Sequence, residues 1–204
     1  MANKLEQIKE LRSLTGAGIN SIKEALDHSK GDIDKAVLYL REKGLAKAAK
    51  RSDKTAANGF IAHYIHGEGN LGVLVEVNSE TDFASRNEKF RELAFNLALH
   101  IAAMAPEYIT IDDIPADVLE KEKDFAKKSI PGNKPAEILN KILEGRLQKF
   151  YEETVLMEQT YVKDESKKIK DLINDAVAAI GEKIEVSKFC RIKINAPTSS
   201  CGVK

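Results

Sequence analysis

At Gly59 the hydrophobic period of this chain changes from that of a helix to that of a strand, and beyond Asn87 it changes back. A strand buries alternate residues on one face, whereas a helix buries a stripe that returns about every 3.6 residues, so the switch imposes a mixed fold. Phe60 to His66 and Leu71 to Asn78 are rich in Val, Ile, Tyr and Phe and flank Gly67-Glu68-Gly69-Asn70. That is the pattern of a β-hairpin closed by a glycine turn.

Before the switch, three short amphipathic segments follow one another. Leu5, Ile8, Leu11 and Leu14 share one helical face, which Thr15-Gly16-Ala17-Gly18 ends; Ile19, Ile22, Ala25 and Leu26 form a second. After Lys30-Gly31-Asp32, where Asp32 can cap, Ile33, Ala36, Val37 and Leu40 form a third, with Gly44 expected to close it. Such short stripes are buried only against one another, which predicts a three-helix bundle. Lys43, Lys47, Lys50, Arg51 and Lys54 then read as one solvated face of a helical linker.

After the hairpin, Thr81 to Asn87 is expected to be a loop, and Asn87 the cap of a helix whose stripe is Phe90, Leu93, Ala94, Leu97, Ile101 and Met104. Helices around Val118 to Lys128 and Ile138 to Phe150, separated by Ile130-Pro131-Gly132 with Pro135 in the second helix's first turn, predict an antiparallel helical hairpin over residues 116–150. Thr154 to Asp164 reads as irregular. Ser166 is expected to cap a helix through Ile169, Leu172, Ile173, Ala176 and Ile180 that Gly181 ends, and Val186 to Asn195 reads as a last strand. The fold class is α+β: a helical module over 1–52, a core over 53–195 with a small antiparallel sheet, packed helices and the hairpin, and a disordered tail over 196–204.

Composition narrows the function. Lys+Arg and Asp+Glu both number 32, so no long-range field gathers phosphates; with aromatics at 6% and no Trp, a general nucleic-acid binder is not expected. No apolar run approaches a membrane span and no secretory leader is visible, so the cytoplasm is the expected location and no membrane is involved. Cys190 and Cys201 lack metal-ligand spacing and fit a reducing compartment; Cys190 is expected to be either a buried free thiol or, near a twofold axis, one half of an intersubunit disulfide.

Gly67 to Gly72 spells the dinucleotide fingerprint, but a strand follows it where a phosphate site needs a helix N-terminus. His63 and His66 point to opposite faces of a strand and do not share a metal. Glu76, Glu80 and Asp82 read as solvated strand-end charges, and no Ser or Cys has a local base. No catalytic residue, cofactor or metal is expected. In Thr81-Asp82-Phe83-Ala84-Ser85-Arg86-Asn87, Phe83 is either tucked beneath the following helix or a wedge at a loop tip.

Leu11-Arg12 with Thr15-Gly16-Ala17-Gly18, Gly31-Asp32-Ile33, Thr81-Asp82-Phe83, Gly145-Arg146 with Lys149-Phe150, and Phe189-Cys190-Arg191 occur in the order of the elongation factor Ts family, which the chain resembles over nearly its whole length. The resemblance implies a non-enzymatic guanine-nucleotide exchange factor acting on elongation factor Tu, both GDP-bound and nucleotide-free. It implies that the first module is similar to a ubiquitin-associated domain, with Arg12, Ile19 and Asn20 on its contacting surface, Ile19 and Asn20 replacing the common Met-Met pair. Thr81, Asp82, Phe83 and Ala84 fall where the family disturbs its partner's Mg²⁺ site, Ala84-Ser85 replacing the common Val-Ala. Longer members carry two core units; one is found here, so a homodimer is expected, with the strand near Phe189 to Ile194 as its pairing edge.

Overall fold

The computed structural model describes residues 4–128, 136–196 and 200–203. The turn at Ile130-Pro131-Gly132 and the placement of Pro135 lie outside the described residues. Helices α1 (Lys4–Thr15), α2 (Ile19–His28) and α3 (Ile33–Ala49) precede strands β1 (Asn58–His66) and β2 (Leu71–Ser79). Then come α4 (Asp82–Arg86), α5 (Glu88–Met104), α6 (Ala116–Lys128), α7 (Ala136–Thr154), β3 (Thr160–Tyr161) and β4 (Asp164–Lys168). The chain ends with α8 (Ile169–Ile180), β5 (Ile184–Lys193) and β6 (Ser200–Val203). The main sheet has strand order β1-β2-β5-β6, and β3 and β4 form a separate antiparallel pair. The α+β class and the small antiparallel sheet follow the sequence reading.

Contacts divide the chain into two compact units. The first holds residues 1–60, 77–94 and 171–185. In it, Leu11, Ile22, Ala25, Leu26, Ala36 and Leu40 form the shared core of α1, α2 and α3, with Ile8, Ile33 and Val37 packed around it. Asp32 accepts a hydrogen bond from the Lys35 N–H at 3.0 Å, the expected cap of α3. Gly44 does not close α3: it lies inside the helix, where an added Cβ would stand 2.9 Å from Cβ of Ala178 on α8. Its missing side chain lets two helices approach, and an Arg41–Asp171 ion pair of 2.9 Å spans the same two helices. Val77, Ala84, Phe90, Leu93, Ala94, Ile173, Val177 and Ile184 are also buried in this unit.

The second unit holds residues 61–76, 95–170 and 186–204. The glycine turn predicted at 67–70 is present, with Gly67 and Gly69 at φ of 58° and 91°, a backbone region that side chains disfavour. Leu71, Val73 and Val75 face inward on β2, and Leu97, Ala98, Ile101, Ile109, Val155, Leu156 and Ile169 are buried in the same unit. Met104, placed in the α5 stripe by its spacing, is 41% exposed because it is the helix's last residue. Helices α6 and α7 pack against each other, and α7 runs on to Thr154.

Further expectations fail in the last third of the chain. Ser166 lies in β4 and caps nothing; its N–H and hydroxyl both donate to Asp164 Oδ1, and the helix begins at Ile169. Residues 200–203 are not a disordered tail: they pair antiparallel with β5 in the register Lys188↔Val203, Phe189↔Gly202, Cys190↔Cys201 and Arg191↔Ser200. An added Cβ at Gly202 would lie 2.4 Å from the Phe189 ring, so this glycine makes room for the aromatic edge of its cross-strand partner. Consequently β5 is not a free edge over 188–191, and Cys190 is neither a free thiol nor half of an intersubunit bond. It is joined to Cys201 of the same chain, with Cα atoms 4.2 Å apart.

Candidate functional site: a clamped aromatic at the end of β2

Strand β2 buries alternate residues as far as Ser79, and the chain must then turn. Ser79 is fully buried and its hydroxyl donates to the Thr81 carbonyl at 2.9 Å, which fixes the turn from within. Thr81 has extended backbone (φ −126°, ψ 160°) and its Oγ1 accepts from the Ala84 N–H at 3.4 Å, so Thr81 is an N-cap. The segment expected to be a loop is therefore the short helix α4. Asn87 stands between α4 and α5, its Oδ1 accepting from the Lys89 N–H at 2.9 Å, as the sequence predicts for a cap.

Five residues are too few for a helix to persist alone, since nucleation fixes several dihedrals for each early hydrogen bond. The fastening comes from residues remote in sequence. The Glu182 carboxylate accepts from the Thr81 N–H at 2.9 Å and from the Thr81 hydroxyl at 2.7 Å. In the reverse direction, Glu80 Oε1 accepts from the Lys183 N–H at 2.7 Å and from Arg51 Nη1 at 2.6 Å. Those two donors hold the Glu80 carboxyl below its usual titration range, the Lys183 N–H contributing most. Two adjacent segments thus exchange carboxylates across the gap. Gly181 makes this geometry available: at φ 87° it ends α8 and turns the chain back.

On this base the side chains divide sharply. Ala84 is buried, and Ser85, also buried, donates to the Asp82 carbonyl at 2.9 Å. Asp82, half-buried, pairs with the exposed Arg86 one turn along at 2.9 Å. Phe83 is 79% exposed, the highest exposure of any large apolar side chain among the described residues. It is not tucked beneath α5, where Phe90 fills the buried position instead.

Arg12, Ile19 and Asn20 are exposed around the turn from α1 to α2, as a contact surface requires. Lys89, just beyond Asn87, donates from Nζ to the Gly16 carbonyl at 3.3 Å. That bond ties this turn to the start of α5 within the same compact unit. Neither Glu182 nor Lys89 carries a local signal, because their partners lie 101 and 73 residues away. Glu80, read as a solvated charge, is part of the clamp.

Among the described residues no three His, Cys, Asp or Glu side chains gather as a metal site would need, and no helix is long and apolar enough to cross a membrane. The sequence matches the family described as elongation factor TS over residues 1–196. It is 53% identical to elongation factor Ts of Coprothermobacter proteolyticus over 90% of this chain and 94% of that protein. With elongation factor Ts of Thermotoga maritima it shares 49% identity over 95% and 97% of the two chains, and with that of Thermodesulfovibrio yellowstonii 49% over 95% and 97%. A family match along nearly the whole chain, and relatives of this identity and coverage, show that the chain belongs to the elongation factor Ts family, the translation elongation factors.

Proposed function

We propose that this protein is the guanine-nucleotide exchange factor of elongation factor Tu and that it works in the cytoplasm without covalent chemistry. The observation that carries the reading is the geometry at Phe83: the most exposed large apolar side chain among the described residues stands on a short helix fastened by several hydrogen bonds, a fixed apolar group that a partner's pocket can bury. Asp82 beside it supplies a negative charge, and Thr81 and Ala84 form the frame that presents both.

A guanine nucleotide is held chiefly through its phosphates and Mg²⁺. In the proposed mechanism Phe83 enters the partner beside that site and displaces a structural element there, while the Asp82 carboxylate competes for the groups around the metal. The metal leaves first and GDP follows. Arg12, Ile19 and Asn20 dock the first module on the partner's nucleotide domain. The nucleotide-free complex is the bound intermediate, and incoming GTP releases the factor.

We further propose that the working unit is a homodimer. Ile61 and Leu74, at 60% and 54% exposure, line a groove of about 270 Å³ with Val75 and Phe189, an apolar surface that a second copy would cover.

Linkage supplies the test of exchange. If the factor weakens GDP binding by some ratio, GDP must weaken factor binding by the same ratio. Titration calorimetry of the factor against elongation factor Tu, with and without GDP, gives one ratio; GDP affinity with and without the factor gives the other. Equal ratios well above one support exchange, and a factor that binds equally well in both states does not perform it.

A further inference from the structure

We infer that Glu182 is a positioning residue for nucleotide release, acting through Thr81 to hold Phe83 in its presenting geometry; the inference rests on the exchange reading above. Thr81 has one hydroxyl and uses it in both senses. Its oxygen accepts the Ala84 N–H that caps α4, and its proton goes to Glu182 Oε1 at 2.7 Å. The cap is therefore oriented by the carboxylate: with its proton committed to Glu182, the hydroxyl has its lone pairs turned toward α4. The Thr81 N–H, a donor that no helical carbonyl reaches, is satisfied by the other oxygen of the same carboxylate at 2.9 Å.

A carboxylate accepting two donors from one residue fixes direction as well as distance. The opposite pairing, Glu80 to the Lys183 N–H and Arg51, prevents the two segments from sliding past one another, and Lys183 Nζ adds a bond to the Lys54 carbonyl at 2.9 Å. Glu182 is bonded to Thr81, two residues before Phe83. Its effect must pass through the cap, because α4 depends on these fastenings to exist. Without them the short helix samples other conformations, and a wedge that is ordered only part of the time acts only part of the time. Binding through Arg12, Ile19 and Asn20 is untouched by this, so the loss falls on the release step and not on association.

The test is steady-state exchange on elongation factor Tu carrying a fluorescent GDP analogue, with Glu182→Ala, Glu182→Gln, Phe83→Ala and the Glu182→Ala/Phe83→Ala double variant. Removing two hydrogen bonds to a charged acceptor is expected to lower the maximal rate roughly tenfold for Glu182→Ala, with the KM for the partner changed less than about twofold. Glu182→Gln keeps one accepting oxygen and is expected to retain an intermediate rate. In the Phe83→Ala background, Glu182→Ala should cost less than about twofold, since there is no wedge left to position. That non-additivity separates positioning from general destabilisation. An unchanged maximal rate, a rise in KM alone, or full additivity overturns the inference. If Glu182→Ala does not fold, Glu182→Gln carries the test, and wild-type kinetics in it overturn the inference equally. Slow release by Phe83→Ala with normal release by Glu182→Ala rejects the positioning role and leaves the exchange reading standing. Normal release by Phe83→Ala rejects the wedge and the positioning role with it.

Discussion

The buried imidazole of His100 donates through Nε2 to Gln159 Oε1 at 3.0 Å while its Nδ1 accepts the Val162 N–H at 3.3 Å, an arrangement that only the neutral ring with its proton on Nε2 can satisfy. Gln159 completes the chain by donating to the Glu153 carbonyl at 2.9 Å. Burial pushes the His100 pKa down from 6.5 to about 4, with the Gln159 bond opposing the shift only in part. Between those values the unfolded chain binds a proton that the folded chain refuses. Stability is therefore complete above pH 6.5 and declines as pH falls through this window, by up to about 3 kcal/mol from this group alone. Denaturant unfolding at pH 7, 5.5 and 4.5, with NMR titration of the imidazole, measures both quantities. A His100 that titrates above pH 6 in the folded protein contradicts the assignment.

Gly44 and Gly145 are both helix-interior glycines with opposite surroundings. Gly44→Leu should destabilise by about 1–3 kcal/mol, because a side chain there must displace Ala178 on α8. An added Cβ at Gly145 on α7 meets nothing within 4 Å, so Gly145→Ala should stabilise by about 0.5–1 kcal/mol through helix propensity. Thermal and denaturant unfolding of the two variants checks the contrast. Equal effects of one sign would contradict the packing at Gly44.

These glycines illustrate what the sequence discloses. The α1–α3 stripes, the 67–70 turn and the buried side of α5 were legible because each is a local periodicity several residues long. Gly44 reads as a helix end because a glycine that stops a helix and one that admits a neighbouring helix look alike in sequence. Helix α4 was hidden by its five-residue length and β4 by its charged sequence, Asp164 to Lys168. Strand β6 resembled a tail because its pairing with β5 is a relationship between positions and not a composition. In the candidate site, Thr81 to Ala84 came from a resemblance, while the Glu182 and Glu80 contacts are tertiary and leave no periodic trace.

The cysteine pairing gives a direct check on β6. Peptide mapping of the oxidised protein without reduction should recover Cys190 and Cys201 in one cross-linked species that stays monomeric in denaturing conditions. Replacing Gly202 by Val should loosen this pairing, since the Phe189 ring occupies the space a side chain needs. A covalent dimer joined through Cys190 would contradict the register of β5 and β6.

The central claim is that exposed Phe83 drives nucleotide release, and stopped-flow measurement of fluorescent GDP leaving elongation factor Tu tests it most directly. Wild-type protein should accelerate release strongly, and Phe83→Ala, folded and binding the partner as before, should release GDP at least about tenfold more slowly than wild type, as expected for loss of an interaction made only in the transition state. Release by folded Phe83→Ala at the wild-type rate, or no acceleration by the wild-type protein, would contradict it.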